Sequence, residues 1–340
     1  MSKLLRAAFA AACLFAVGPY PTPSHAQAPA QAQPQLDEAL AFVGQLGEVT
    51  KLQVEGVQKL LDAKPLFDSM ATPAGAKAAA PRLRLLMDEA RATVRRADAM
   101  TGAIVPPPGL RLGTLDPAAM LGEVRSHNAK TLALLADFDA FLAAAERGDR
   151  AAMGRAAPRL MEGSLLLIDG NASMYRNRQA AIPSTQSVHQ ALEIGVQLYR
   201  AMSASGRAWI AAKTGGADSA AASLRAQLAQ VSIRAGTASR EGRANLAREL
   251  ADLDRRIAGA GLRGHEAAAV GRIREALAGK EKLFEVGDEV AAAAVAGGRI
   301  TGAGLAAQPS PQLLGRLAPL ELRFQTVLAA QAAIATGQAK

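Results

Sequence analysis

Apolar residues recur at three- and four-residue steps along most of the chain, and no window alternates apolar and polar positions with a period of two. This pattern predicts an all-α protein, made of antiparallel helical hairpins in one or two up-and-down bundles of about nine helices. The first stripe is Leu36, Leu40, Val43, Val54, Val57 and Leu61, disturbed at Lys64-Pro65. A small-residue connection over 71–80 leads to Pro81, which suits the first turn of a helix, and Leu83, Met87, Ala90, Val94 and Ala97 form the second stripe. Pro106-Pro107-Pro108 marks a stiff crossover, after which Asp116-Pro117 supplies a cap and a first helical position. Met120, Val124, Thr131, Leu134 and Phe138 continue that third helix to Arg147-Gly148.

The pentapeptide Ala79-Ala80-Pro81-Arg82-Leu83 returns as Ala156-Ala157-Pro158-Arg159-Leu160, in both cases opening the second helix of a hairpin. Two related hairpins would build a four-helix bundle over 36–180, followed by a second bundle over 187–336. In the second half Gly215-Gly216 ends a helix, Asp218 or Ser219 can cap the next, and Leu224, Leu228 and Val231 imply another short hairpin. Further stripes are Leu246, Leu250, Leu253 and Ile257, then Val270, Ile273, Leu277 and Phe284 running into the small residues of 291–296. A loop is expected over 297–309, and a last helix begins at Ser310-Pro311 with Leu313, Leu314, Leu317, Phe324 and Leu328. Residues 329–340 are expected to fray.

The N-terminus changes the picture of where the protein acts. Lys3 and Arg6 precede an apolar run over 7–17, then Gly18, three prolines and the small-residue site Ser24-His25-Ala26, the pattern of a secretory signal peptide over 1–26. A lipoprotein reading through Cys13 is disfavoured, because only a very short apolar run precedes that cysteine. Residues 27–35 carry little apolar mass and read as a disordered tether. The expectation is a periplasmic or secreted protein without an integral membrane span. Cys13 is the chain's single cysteine, so cleavage after Ala26 leaves no thiol for disulfides or thiolate metal sites. It also lowers the formal charge from +9 to +7 by removing Lys3 and Arg6. Such a surplus permits weak association with anionic surfaces, but the arginines are scattered among acids, which argues against nucleic-acid binding.

Most familiar chemistries find no support. Gly259-Ala260-Gly261-Leu262-Arg263-Gly264 matches the dinucleotide fingerprint in letters, but a charged helix precedes it where a strand is required, so it reads as an interhelical turn. His127, His189 and His265 are too dispersed for a local metal motif. His189 and Glu193 lie one turn apart, but Gln197 and Arg200 extend the line as a solvated face, and His127 reads as a partly buried, hydrogen-bonded residue. Neither G-x-S-x-G nor S-x-x-K occurs, and Asn171-Ala172-Ser173 is a glycosylation sequon of little weight inside a predicted helix. No catalytic residue, cofactor or metal is therefore expected.

The chemically distinctive residues gather between 160 and 209. Leu160, Met161, Leu167, Ile168, Met174 and Tyr175 share one helical face with Ser164 and Asn171 in its middle, and a buried asparagine must be paired or meet a ligand. Pro183 breaks the helix, and Ser187 with Gln190 can form a capping box for the next. With Tyr175 beside the loop, Tyr199 falls ~24 Å along the returning helix and Trp209 farther still, so the aromatics are not expected to form one cage. The candidate ligand-binding residues are Ser164, Asn171, Tyr175, Tyr199 and Trp209. The function expected is non-enzymatic binding of an envelope protein or a small ligand. The alternatives are a hydrolase-like enzyme assembled from separated helices and a basic envelope-associated structural protein.

Overall fold

A computed structural model describes residues 32–63, 66, 69, 72–107, 116–180, 182–259, 264–308 and 311–337. The leader, most of the tether, Lys64-Pro65 and Pro108 lie outside these residues, as do the side chains of Leu36, Leu40, Val43, Val57, Leu61 and His265. The regular structure of the described residues is entirely helical: α1 (Ala32–Asp62), α2 (Pro73–Ala103), α3 (Pro117–Glu146), α4 (Arg150–Ala180), α5 (Ser187–Lys213), α6 (Ala217–Ala258), α7 (Gly264–Ala278), α8 (Glu281–Gly297), α9 (Gly302–Ala307) and α10 (Gln312–Thr336). None of the helices among the described residues is long and apolar enough to cross a membrane.

Several helices start earlier or run longer than the stripes predict. Helix α1 begins at Ala32, inside the stretch read as a tether. Helix α2 begins at Pro73, where Thr72 is extended and its hydroxyl accepts from the Gly75 N–H, so Thr72-Pro73 is the cap and first position. Pro81 then lies inside the helix, where it forfeits a backbone bond, and packing offsets that loss: Ala76, Ala80, Leu83, Met87 and Ala90 are all buried around it. Asp149 accepts from the Ala152 N–H and opens α4 likewise, so Pro81 and Pro158 fall at the same position of their helices. The recurring pentapeptide thus marks a matched register in α2 and α4, not two helix starts.

In the second half, the two stripes assigned to a hairpin form one continuous α6 of 42 residues. Its internal Gly242 is not a breaker, because a Cβ there would come 2.1 Å from the Phe284 ring, so the position serves close approach of α8. The predicted caps also shift: Gly216 occupies the N-cap, and Asp218 sits in the first turn. Conversely the stripe from Val270 to Phe284 is cut at Gly279-Lys280 into α7 and α8, the loop over 297–309 contains α9 capped by Thr301, and α10 stays ordered through Thr336 with Gln331, Ala332 and Ala335 buried. Gly337, at φ 75°, closes α10 in the left-handed conformation that favours glycine.

From α1 to α6 each helix packs on the next, whereas α7 packs chiefly on α10, α8 chiefly on α6, and α1 meets the chain's last helix, α10, rather than α4. Helix α10 also packs on α5, α7 and α8, which ties the two halves together. One small core surrounds Leu83, Met87, Leu135 and Leu142, and another holds Phe42, Val49, Ala97 and Met120. The largest runs from Leu165, Ile168 and Tyr175 of α4 through α5, α6, α7, α8 and α10. Helix α5 lies at its centre and is buried nearly all round. Glycines let α4 approach it: a Cβ at Gly206 would stand 2.7 Å from Leu165, and one at Gly195 would stand 2.9 Å from the Tyr175 ring.

Candidate functional site

Helices α1, α3, α4 and α10 meet without closing completely. They leave a cavity of ≈ 120 Å³. Its apolar wall includes Leu46, Val49, Val124, Met174 and Leu328, and its polar groups are Gln53, His127, Asn171, Tyr175, Arg178, Glu321 and Gln325. The size is comparable to the roughly 150 Å³ engineered cavity that holds benzene.

The polar end rests on a hydrogen-bonded tyrosine pair. The Tyr175 and Tyr199 rings lie 5.7 Å apart with a 32° tilt, and Phe324 meets Tyr175 edge-on at 5.7 Å. The Gln325 amide donates to both hydroxyls at 3.0 Å, and the Tyr199 hydroxyl donates to Glu321 Oε1 at 2.9 Å. Burial pushes the Tyr175 hydroxyl up to about 12, against the pull of Arg178, and burial together with the Glu321 charge pushes Tyr199 well above its ordinary value. Both hydroxyls therefore remain protonated at neutral pH. Burial also raises Glu321 to about 6, although the Tyr199 hydrogen bond opposes it. Across the cavity His127 is pushed down to about 4, first by burial and then by Lys130, so its imidazole is neutral.

The expected separation of Tyr175 and Tyr199 is therefore wrong, and helix geometry explains why. Helix α4 continues to Ala180 beyond Tyr175, so Tyr175 is not at the loop, and the axial offset from Tyr199 shrinks to ~10 Å. Side chains also lean toward the N-terminus of their own helix, which in this antiparallel pair moves Tyr175 away from the loop and Tyr199 toward it. Trp209 does stay apart: its indole N–H donates to the Gln308 carbonyl at 3.0 Å, with the Lys213 ammonium 5.7 Å from its ring.

Of the remaining candidates, Asn171 faces the cavity and Ser164 does not. The Ser164 hydroxyl is spent on the Leu160 carbonyl one turn back, at 2.8 Å. Asn171 is only 8% exposed, so the sequon is not an accessible glycan acceptor. No hydrogen bond among the described residues holds the Asn171 amide, and the Arg178 Nε is likewise buried without a partner. His127 lines the cavity, and no described residue hydrogen-bonds its ring. Arg178, Glu321 and Gln325 were missed by sequence reasoning. Arg178 is one turn beyond Tyr175 and could have been found there, whereas nothing in the local pattern connects Tyr175 with a helix about 150 residues away.

A second polar cluster lies at the start of α5. Glu249 of α6 accepts from the Ser187 backbone N–H at 2.7 Å and from its hydroxyl at 2.5 Å, while the Lys280 ammonium donates to the same hydroxyl at 3.1 Å. A carboxylate from another helix thus occupies the place of the predicted capping box, and Gln190 turns instead to the Ser184 carbonyl and Glu241. A serine beside a lysine that burial lowers to about 8 has the composition of a nucleophile and base. Ser187 is 0% exposed and Lys280 1%, however, so no substrate reaches them. The cluster fixes the end of a buried helix.

The face read as solvated, from His189 to Arg200, is half-buried. Gln197 is 1% exposed, the His189 Nδ1–H donates to the Ile182 carbonyl at 2.7 Å, and Glu193 accepts from Gln179 at 2.7 Å. The reason is the central place of α5, which amphipathic spacing alone does not reveal. Among the described residues no group of three or more His, Cys, Asp or Glu is placed to hold a metal ion. The dinucleotide-like glycines follow α6 and precede α7, with residues 260–263 outside the described ones. Comparison with protein-family models, with curated proteins and with solved structures finds no match for this chain.

Proposed function

We propose that this protein is an exported, non-enzymatic helical bundle that binds a small ligand in the cavity between α1, α3, α4 and α10. The observation that carries this reading is the pairing of a partly open, largely apolar cavity with the buried, unpartnered Arg178 Nε and with the Asn171 amide, which makes no hydrogen bond among the described residues. Buried polar groups are nearly always satisfied, so the orphaned Arg178 Nε, beside the unpartnered Asn171 amide at the same cavity, is consistent with a place where another molecule completes the hydrogen bonding. Between a partner protein and a small ligand, a cavity of this size favours the ligand. The export reading rests on the charged, apolar and small-residue succession of the first 26 residues.

Native mass spectrometry of protein recovered from the cell envelope tests both parts. A mature N-terminus at Gln27 and a bound low-mass species are expected. Ala329→Phe fills the cavity from α10 and should release that species while the helical circular dichroism is retained. If wild type and variant carry the same species, the binding site is elsewhere.

A further inference from the structure

We infer that the cavity is a site for a small organic monoanion, a carboxylate of about six to eight non-hydrogen atoms with an unbranched or single-ring apolar end. This deepens the small-ligand reading and rests on it. The size follows from the ≈ 120 Å³ volume, which is near that of a benzene-sized cavity. The charge follows from which hydrogen-bonding capacity is already used.

Three donors around the cavity are unspent. The Arg178 guanidinium makes no hydrogen bond or ion pair among the described residues, and its Nε is buried. The Asn171 amide is unpartnered at 8% exposure, and the Tyr175 hydroxyl accepts from Gln325 while its own proton has no acceptor among the described residues. On the acceptor side, one Glu321 oxygen is taken by the Tyr199 hydroxyl. Arg178 is therefore a lasting positive charge with no carboxylate partner among the described residues, whereas Glu321 already accepts from the Tyr199 hydroxyl and burial disfavours its charge, and a guanidinium matches the planar, two-oxygen geometry of a carboxylate. The apolar end of the ligand would lie against Leu46, Val49, Val124 and Leu328.

Glu321 gives the site a pH dependence. The titratable or charged groups at the cavity are His127 from α3, Tyr175 and Arg178 from α4, and Glu321 itself from α10, with Tyr199 of α5 bonded to Glu321; α1 contributes only Thr50 and Gln53. No side chain of α7 or α8 lines it. His127 and both tyrosines keep one state between pH 7.5 and 5.5, whereas Glu321 gains a proton near 6. Loss of its negative charge should strengthen the hold on an anion as pH falls through that range.

A matched series of pentanoate, pentylamine, 2-aminopentanoate and 1-pentanol tests the assignment by isothermal titration at millimolar ligand. Pentanoate should bind at least tenfold more tightly than the other three and more tightly at pH 5.5 than at 7.5. Arg178→Gln should lose at least tenfold in pentanoate affinity, and because Arg178 has no carboxylate partner among the described residues, the variant should keep its helical content and melting temperature. Preference for the amine, the zwitterion or the alcohol overturns the anion assignment and leaves the cavity as a ligand site. Failure of all four overturns it too, and the native mass spectrum of wild type beside Ala329→Phe then shows separately whether the cavity holds any ligand.

Discussion

Asn171 and His127 face the same cavity, and each has a distinct thermodynamic signature. Asn171→Leu replaces an amide that makes no hydrogen bond among the described residues and adds apolar surface at the cavity wall, so thermal melts should place it within about 1 kcal/mol of wild type, or above it, while ligand binding falls. Asn171→Asp puts a carboxylate in the same buried place and should cost about 1–3 kcal/mol at neutral pH. His127 titrates about 2.5 units lower in the folded protein than its ordinary 6.5. The unfolded chain therefore binds the extra proton between pH 6.5 and 4, and stability falls as pH drops through that window by about 3 kcal/mol. Glu321 works in the opposite sense: its raised value adds stability at low pH that is lost as pH rises through about 6. Urea midpoints measured from pH 7 to 4 should show a steeper acid loss in wild type than in His127→Gln. Equal slopes would remove His127 from the account.

The start of α5 is where element-scale energetics concentrate. Glu249 caps this helix from α6, and Lys280, at the start of α8, shares the Ser187 hydroxyl. Glu249→Gln removes the charge that accepts twice from Ser187 and lies near the buried ammonium, and should destabilise by about 1–3 kcal/mol, the range for hydrogen bonds to charged groups. The double substitution Glu249→Gln with Lys280→Met removes both charges and should recover a large part of that loss in a double-mutant cycle. Additive losses would show that the two side chains do not act together. Lys280 adds a pH dependence on the alkaline side: burial lowers it from 10.5 to about 8, so the unfolded chain binds more protons between those values and stability from this group rises with pH there.

On the scale of the molecule, α10 decides whether two bundles behave as one. It packs on α1 in the first half and on α5, α7 and α8 in the second, and it lines the cavity together with α1, α3 and α4. Unfolding should therefore be a single cooperative transition, with Trp209 fluorescence and far-ultraviolet circular dichroism changing together. Two separated transitions would mean that α10 leaves α1 first and that the halves are independent.

Helix type and the burial of Leu83, Met87, Ala90, Val94 and Ala97 could be read from the sequence, because amphipathic periodicity is a local property of a one-dimensional pattern. The polar seam with Asn171 could be read for the same reason. Local propensity did not settle the ends of the elements: Pro81 read as a helix start and the stripes from Leu224 and from Leu246 as a hairpin, whereas Pro81 lies inside α2 and both stripes lie in one continuous α6. Only the tertiary structure decided the site. The meeting of Tyr175 with Tyr199 depends on where α4 ends and on which way side chains lean, and the meeting of both with Glu321 and Gln325 depends on contacts across more than 100 residues of chain. Periodicity shows which face of a helix is apolar, but not which helix will cover it, and the cavity is a property of that covering.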